Sequence, residues 1–394
     1  INIKFCHIFF PKMEQVIKVI LLGIVLAVAA EKLNASEPCN QETCQLPTCR
    51  CSSTNIPGGL SARDTPQFVL ITFDDAVNII NIETYRDTVY NRRNKNGCPA
   101  GVTYFVNHEY TNYVLVNELY NQGHEIALHS ITHRSPQTWW ATATVKDVMQ
   151  EFGDQIIQMS HFANIPQHSI KGLRIPFLQM TGNASFQMMA DVGLTYDLTW
   201  PTIRFINPGL WPYTLDYAST QDCIIPPCPS ATIPRPWVIP MVAWLDLVNT
   251  ACAMVDSCFS RPELNDENGW FNFFVKNFER HYLGNRSPFG FYVHEWFIGT
   301  NPAIKAAFIR FLNLLNNLND VFMVNANEVI DWVRNPIPVE EYTKLPCKRH
   351  LPASCDIRSC GPLRSPHNDM DYWMQVCSPC PDKYPWLGNP LGRR

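Results

Sequence analysis

The chain has 394 residues, of which 46% are hydrophobic, 12% aromatic and only 17% charged, enough apolar material for one large core or two moderate ones. Collagen-like, coiled-coil and disordered chains need other compositions and are excluded. A net charge of −4 provides no basic field to hold nucleic acid.

From the N-terminus, the first methionine is Met13, and residues 1–12 are expected to be sequence upstream of a start. Lys18 precedes twelve uncharged, mostly apolar residues, 19–30, closed by Ala27, Ala29 and Ala30. Residues 13–30 therefore read as a secretory signal peptide within a leader at 1–30. The run is short of the roughly 20 residues a membrane helix needs, and no membrane association is expected. Fifteen cysteines agree with an oxidising compartment, and cleavage would remove Cys6 and leave fourteen. Cys39, Cys44, Cys49 and Cys51 lie in an arm at 31–65. Cys347, Cys355, Cys360, Cys377 and Cys380 lie in a Pro-rich extension at 341–394. Both are read as disulfide-stapled flanks of a central domain at 66–340, with pairings that spacing alone leaves open. Cys377-x-x-Cys380 is read as structural disulfide chemistry rather than a zinc or redox motif. Asn34, Asn183 and Asn285 head glycosylation sequons.

Between the flanks, strand-like and helix-like segments alternate. Residues 68–73 (FVLITF) form a continuous apolar run, as a buried parallel strand should. Further strands are expected at 102–106, 125–128, 172–175, 195–198, 238–241, 289–293 and 321–324. Helical spacing is visible at 144–162, 184–191, 271–279, 303–318 and 326–333. Such alternation predicts an α/β fold, a barrel being the natural closure.

In that architecture catalytic groups gather where strands end. Asp74 and Asp75 follow 68–73; His129 and His133 follow 125–128. Arg174 and Phe177 sit at the end of 172–175, and His294 follows 289–293. Each has an ordinary reading alone: a turn for Asp-Asp, a polar helix face for His-x3-His, an ion pair for Arg174, a core or surface histidine for His294. Their recurrence at corresponding ends of one alternating chain reverses that preference. His129 and His133, spaced i, i+4, would face the same way on one helical turn and could grip one ion. Asp75 as a third, hard ligand would complete a set suited to Zn²⁺ or another divalent metal. Iron oxygenases use the same donors, but the second carboxylate, Asp74, is the base that hydrolysis needs.

Thr72-Phe73-Asp74-Asp75, His129-Ser130-x-x-His133 and Arg174-x-Pro176-Phe177 resemble the first three motifs of the family 4 carbohydrate esterases, the polysaccharide deacetylases; the run ending at His294 resembles the last. Strings at 104–113 (YFVNHEYTNY), 123–134 (GHEIALHSITHR) and 210–217 (LWPYTLDY) are similar to arthropod chitin deacetylases of the short type, without a chitin-binding domain. The resemblance spans about 66–333. It implies a distorted (β/α) barrel of seven strands. It also implies Asp74 as general base, Asp75, His129 and His133 as ligands of a divalent metal, zinc foremost, and His294 as general acid. Arg174 would hold Asp74, and the Phe177 N–H would help stabilise the oxyanion. Asp197, in a region whose spacing departs from the family's fourth motif, would orient His294. Glu295-Trp296 follows His294 where related chains more often carry small residues.

Loop aromatics suit sugar faces, and one of Trp139 and Trp140 is expected to touch substrate. The resemblance implies an enzyme that removes N-acetyl groups from chitin or chitooligosaccharides. The leader and the cysteines place it as secreted, and, with no sign of an oligomer interface in the sequence, a monomer is expected. It would act in an extracellular chitinous matrix such as the gut peritrophic matrix. The competing expectation is a chitin-binding matrix protein that keeps the fold with little turnover.

Overall fold

The computed structural model describes residues 34–348 and 351–394; the expected signal peptide lies outside them. The run FVLITF lies in the first strand, β1 (Gln67–Asp74), and all eight of its residues are buried. It has neighbours on both faces, as a parallel strand requires. Four more parallel strands follow: β2 (Thr103–Val106), β3 (Glu125–Leu128), β4 (Gly172–Leu173) and β5 (Tyr196–Asp197). Next come β6 (Tyr213–Leu215), β7 (Ile233–Val238), β8 (Phe289–His294) and β9 (Val321–Met323). The sheet runs β8-β1-β2-β3-β4-β5-β7-β6, with β9 on the opening residues of β1. All pairs are parallel except β6 on β7.

The expected distorted barrel of seven strands is present as a curled half-barrel. Seven parallel strands form its path, and among the described residues no ladder joins β8 to β6. The antiparallel β6 was not foreseen. The expected strand at 238–241 is split: β7 ends at Val238, and Met241–Val242 pairs instead with Pro201–Thr202.

Helices cover the outer face: α1 (Ile82–Thr88), α2 (Tyr113–Asn121), α3 (Asp154–Phe162), α4 (Ala184–Val192), α5 (Glu267–Tyr282), α6 (Pro302–Asn317) and α7 (Ala326–Arg334). Their starts carry chemical stops. The Asn112 side chain accepts from the Val114 and Leu115 N–H groups at α2, and Asn325 with Glu328 forms a capping box at α7. α5 and α6 press Phe274, Phe278, Phe308 and Phe311 against Phe289 and Phe291 of β8. The helix expected at 144–162 contains one wide turn, a π-helix at Met149–Gly153 between Val145–Val148 and α3.

The fourteen cysteines of the described residues pair as Cys39–Cys51, Cys44–Cys49, Cys98–Cys347, Cys223–Cys228, Cys252–Cys258, Cys355–Cys377 and Cys360–Cys380. Cys377 and Cys380 thus bridge to other partners, not to each other. Both flanks lie against the sheet domain, and Ser36–Arg394 packs as one compact unit. The N-terminal arm runs beside β6, with Thr214 N–H donating to Arg50 O at 2.9 Å and Trp211 N–H to Ser53 O at 3.2 Å. The C-terminal extension contains an antiparallel hairpin, β10 (Arg358–Arg364) and β11 (Asp371–Val376), which low apolar periodicity had hidden. The Asn285 amide donates to Thr54 and Gly209 carbonyls at 2.7 and 2.6 Å, so the nitrogen of that sequon is committed to the fold. No helix among the described residues is long and apolar enough to cross a membrane.

Candidate active site

Parallel register assembles the site. Asp74 and His294 close β1 and β8 and stand directly opposite each other. Both side chains therefore reach the same rim, where the C-terminal ends of the strands meet. Asp75 follows with φ of 80°, left-handed backbone that costs a residue with a Cβ on the order of 1 kcal/mol or more. Ser130, His133 and Phe177 share that unusual region, at φ of 72°, 44° and 60°. Strain of this kind, clustered at one rim, is a mark of functional sites.

The two histidines sit in a loop, not on the helical turn expected from their spacing, because Ser130 and His133 leave helical φ. That loop is braced from behind. Ser130 Oγ accepts from His133 N–H at 3.0 Å. Glu151, buried in the π-turn, accepts from Thr132 N–H at 3.0 Å and Thr132 Oγ1 at 2.7 Å. Gln155 Nε2 donates to the Ser130 and Val106 carbonyls at 2.8 and 2.7 Å. The extra residue of the π-turn thus has a use: it turns Glu151 towards the loop.

His129 Nε2 and His133 Nε2 lie 3.8 and 3.4 Å from Asp75 Oδ1, and one donor atom from each of the three residues falls within 4.8 Å of the others. His129 Nδ1 donates to the Arg174 carbonyl at 2.8 Å, which aims the lone pair of Nε2 at Asp75. Burial holds the His129 pKa well below its usual value, keeping the ring in the neutral form a ligand needs. Two imidazoles and a carboxylate, converging with the outer nitrogen of His129 already bonded, fit a divalent ion such as zinc.

Asp74 and Arg174 form a buried pair at 2.5 Å. Arg174 reaches across the concave side of the sheet between aromatic faces, its guanidinium carbon 4.2 Å from the Phe105 ring centre and 5.0 Å from that of Tyr292. It also donates to Leu198 O at 2.8 Å and Thr72 Oγ1 at 3.0 Å. Burial pushes the Asp74 carboxyl up, but Arg174, His129 and His294 more than reverse this and hold it below the usual carboxylate range.

Asp197 does not orient His294. It is buried, with its oxygens accepting from Thr199 N–H at 3.1 Å and Thr199 Oγ1 at 2.5 Å, and Thr199 Oγ1 in turn accepts from Ile175 N–H at 2.9 Å. Asp197 therefore ties β4 to β5. Burial raises its pKa to about 6. The carboxylate on His294 is Asp256, whose Oδ2 accepts from His294 Nδ1 at 2.7 Å and His294 N–H at 2.8 Å. Asp256 sits in a 3-10 turn, Val255–Ser257, inside the loop closed by Cys252–Cys258. Burial lowers the His294 pKa, but Asp256, with Asp74 and Asp75, lifts it to about 9.

Trp140 is fully buried, donating its indole N–H to Arg134 O at 2.9 Å, and cannot face substrate. Trp139 packs on it edge to face under the Arg134 guanidinium. Trp200, Trp211 and Trp237 are buried too. The open cleft over the rim, about 560 Å³, is lined instead by Ile80, Asn107, Tyr110, Thr132, Glu295 and Trp296 around Asp74, Asp75, His133 and His294. Phe177 follows β4, its ring edge-on to His133.

Residues 61–196 match the polysaccharide deacetylase family model. The chain is 63% identical over 372 residues to chitin deacetylase 8 of Bombyx mori, covering 94% of this chain and 98% of that protein. It is 38% identical over 391 residues to chitin deacetylase 1 of the same species, covering 91% and 69%. Among solved structures, the chitin deacetylase of Colletotrichum lindemuthianum is similar at 15% identity and a TM-score of 0.36, over 67% of this chain and 88% of that one. The close likeness to the two Bombyx proteins, running almost the whole length of the chain, makes it a member of the chitin deacetylases within the polysaccharide deacetylase family.

Proposed function

We propose that the protein hydrolyses the N-acetyl groups of N-acetylglucosamine units in chitin or chitooligosaccharides, releasing acetate and leaving free amines, with Asp75, His129 and His133 holding a divalent metal, zinc foremost. The observation that carries this reading is the pairing of Asp74 and His294 on one rim, in register across β1 and β8, on either side of the three-ligand set.

A divalent ion held there supplies Lewis-acid polarisation of the acetamide carbonyl and a water of lowered pKa. Asp74, kept ionised by Arg174, takes a proton from the attacking water. The Phe177 N–H serves as a donor to the oxyanion that forms as the carbonyl carbon becomes tetrahedral. His294, protonated at neutral pH and fixed through Nδ1 by Asp256, offers its Nε2 proton to the amide nitrogen as the C–N bond breaks. The acetyl group leaves as acetate with the water oxygen, and the sugar keeps an amine.

Seven disulfides support secretion into an oxidising compartment, and a chitinous extracellular matrix, the gut peritrophic matrix included, is the setting the reading implies. Mass spectrometry of chitopentaose incubated with the purified protein tests it. Stepwise conversion of acetamides to amines is expected, falling at least 1,000-fold in Asp74→Asn, where the base is lost without a change of shape. No conversion by wild type above that variant would refute the activity and leave a chitin-binding role.

A further inference from the structure

The two histidine ligands are held in place by different means. His129 is fixed through its ring, because Nδ1 donates to the Arg174 carbonyl at 2.8 Å. Among the described residues, none tethers the outer nitrogen of His133 in this way. The His133 side chain is 27% exposed, and its ring meets Phe177 and His129 only edge to face, with centres 5.0 Å away in each case. Its anchoring hydrogen bond is made by the main chain, N–H to Ser130 Oγ at 3.0 Å. The direction of the His133 ring therefore depends on the course of the loop at 130–133. That course is not one the chain adopts freely: Ser130 and His133 both have left-handed φ, 72° and 44°, which is disfavoured for any residue with a Cβ.

Glu151 holds the loop to that course. It is 1% exposed, and a carboxylate so buried is costly unless it is hydrogen-bonded. Both bonds of its carboxylate go to Thr132, the residue before His133: Oε2 accepts from the Thr132 N–H at 3.0 Å and Oε1 from Thr132 Oγ1 at 2.7 Å. Its own carbonyl accepts from the Ile131 N–H at 3.1 Å. With the bond to Ser130 Oγ, every main-chain N–H from Ile131 to His133 is engaged, those of Ile131 and Thr132 by Glu151 alone. Gln155 holds the start of the loop through the Ser130 carbonyl. Glu151 lies in the wide turn Met149–Gly153 and Gln155 in α3 directly after it, so one continuous helical segment grips the loop at both ends. Glu151 does not line the cleft, and its influence on the site runs through the loop.

We infer that Glu151 is a positioning residue of the metal site: by fixing the loop at Ile131 and Thr132 it aims His133, and so sets how tightly the ion is held. The inference rests on the ligand set of the proposed function. Titration of Zn²⁺ into chelator-stripped protein, in competition with a fluorescent chelator, measures it without turnover. Outer residues that orient a ligand are typically worth about 10- to 100-fold in metal affinity, and Glu151→Ala is expected to raise the Zn²⁺ Kd by about that factor. Glu151→Gln should restore most of the affinity, since its amide oxygen can accept from the Thr132 N–H while its amide nitrogen donates to Thr132 Oγ1. A role in general stability would lower the melting temperature of the stripped protein without moving the Kd. Thr132→Val keeps the side-chain shape and removes one of the two bonds to the carboxylate. It serves as the test if the alanine variant fails to fold, with a Kd at least about three-fold higher expected. A Kd unchanged in a Glu151→Ala protein of wild-type circular dichroism, or unchanged in Thr132→Val, would overturn the inference and leave the ligand set standing. Wild type that binds no Zn²⁺ would strike the ligand set itself and the inference with it.

Discussion

At the scale of single residues, the site is organised by two carboxylate–cation pairs with opposite tasks. In the proposed mechanism, Arg174 would keep Asp74 ionised as an acceptor of protons, and Asp256 would keep His294 charged as a donor. Replacing Asp256 with Asn leaves a shape that still fits His294 but removes the charge. The expected result is a kcat for chitopentaose about 10- to 100-fold lower, with KM little changed, measured by steady-state acetate release. Asp197→Asn acts on the β4–β5 junction instead, so its effect should appear in thermal stability. The difference between the two aspartates shows what sequence could reveal. Asp74, Asp75, His129, Arg174 and His294 are legible because each abuts an apolar strand, and strand ends define a rim. Asp256 stands 38 residues from His294 in a loop without periodicity, and nothing in its spacing points to the histidine. The signal available was the short Cys252–Cys258 loop, a rigid turn carrying one acid. The choice between Trp139 and Trp140 was hidden for a related reason. Position near the histidine loop says nothing about which way an indole faces, and core packing claimed Trp140.

Elements explain how such groups hold still. The Cys252–Cys258 bridge closes the loop that presents Asp256. Converting both cysteines to Ala should cost roughly 2 kcal/mol of stability and lower kcat with it, read by thermal melts and the same acetate assay; full stability with full kcat would contradict a presenting role for the loop. β3 displays the contrast between the two ends of a strand. His129 follows its C-terminal end at the rim. Glu125 begins it at the opposite end, buried, accepting from Tyr196 OH and Asn327 N–H at 2.9 Å each. The Tyr196 ring lies over Gly172, where any Cβ would collide with it, which is why β4 starts with glycine. Burial raises the Glu125 pKa to about 7. The folded state therefore holds this proton more tightly than the unfolded chain, and the contribution is fully present below about pH 4.5. It is lost as pH rises through 7, a change of roughly 3 kcal/mol. Glu125→Gln should flatten the decline of Tm over that window, and an unchanged slope would contradict the assignment. The strands and long helices were readable from apolar runs and helical spacing. The π-turn was not, because one inserted residue barely disturbs the periodicity of a helix.

Over the whole molecule, the parallel sheet was legible in the alternation of segments, whereas its failure to close was not. Closure is decided by pairing between β8 and β6, at the two ends of the path, and β6 has only three residues and runs antiparallel. The open side leaves the rim broad. The C-terminal extension looked like a tail because disulfides, rather than apolar periodicity, hold it in place. The central claim is that the chemistry belongs to the rim where Asp75, His129 and His133 converge. Metal content by mass spectrometry, measured alongside acetate release on one preparation, tests it most directly. The account predicts one divalent ion per wild-type chain, its loss in His129→Ala and His133→Ala, and acetate release that falls with a chelator and returns with added zinc. Full acetate release by metal-stripped protein, or an ion count untouched in both histidine variants, would contradict it.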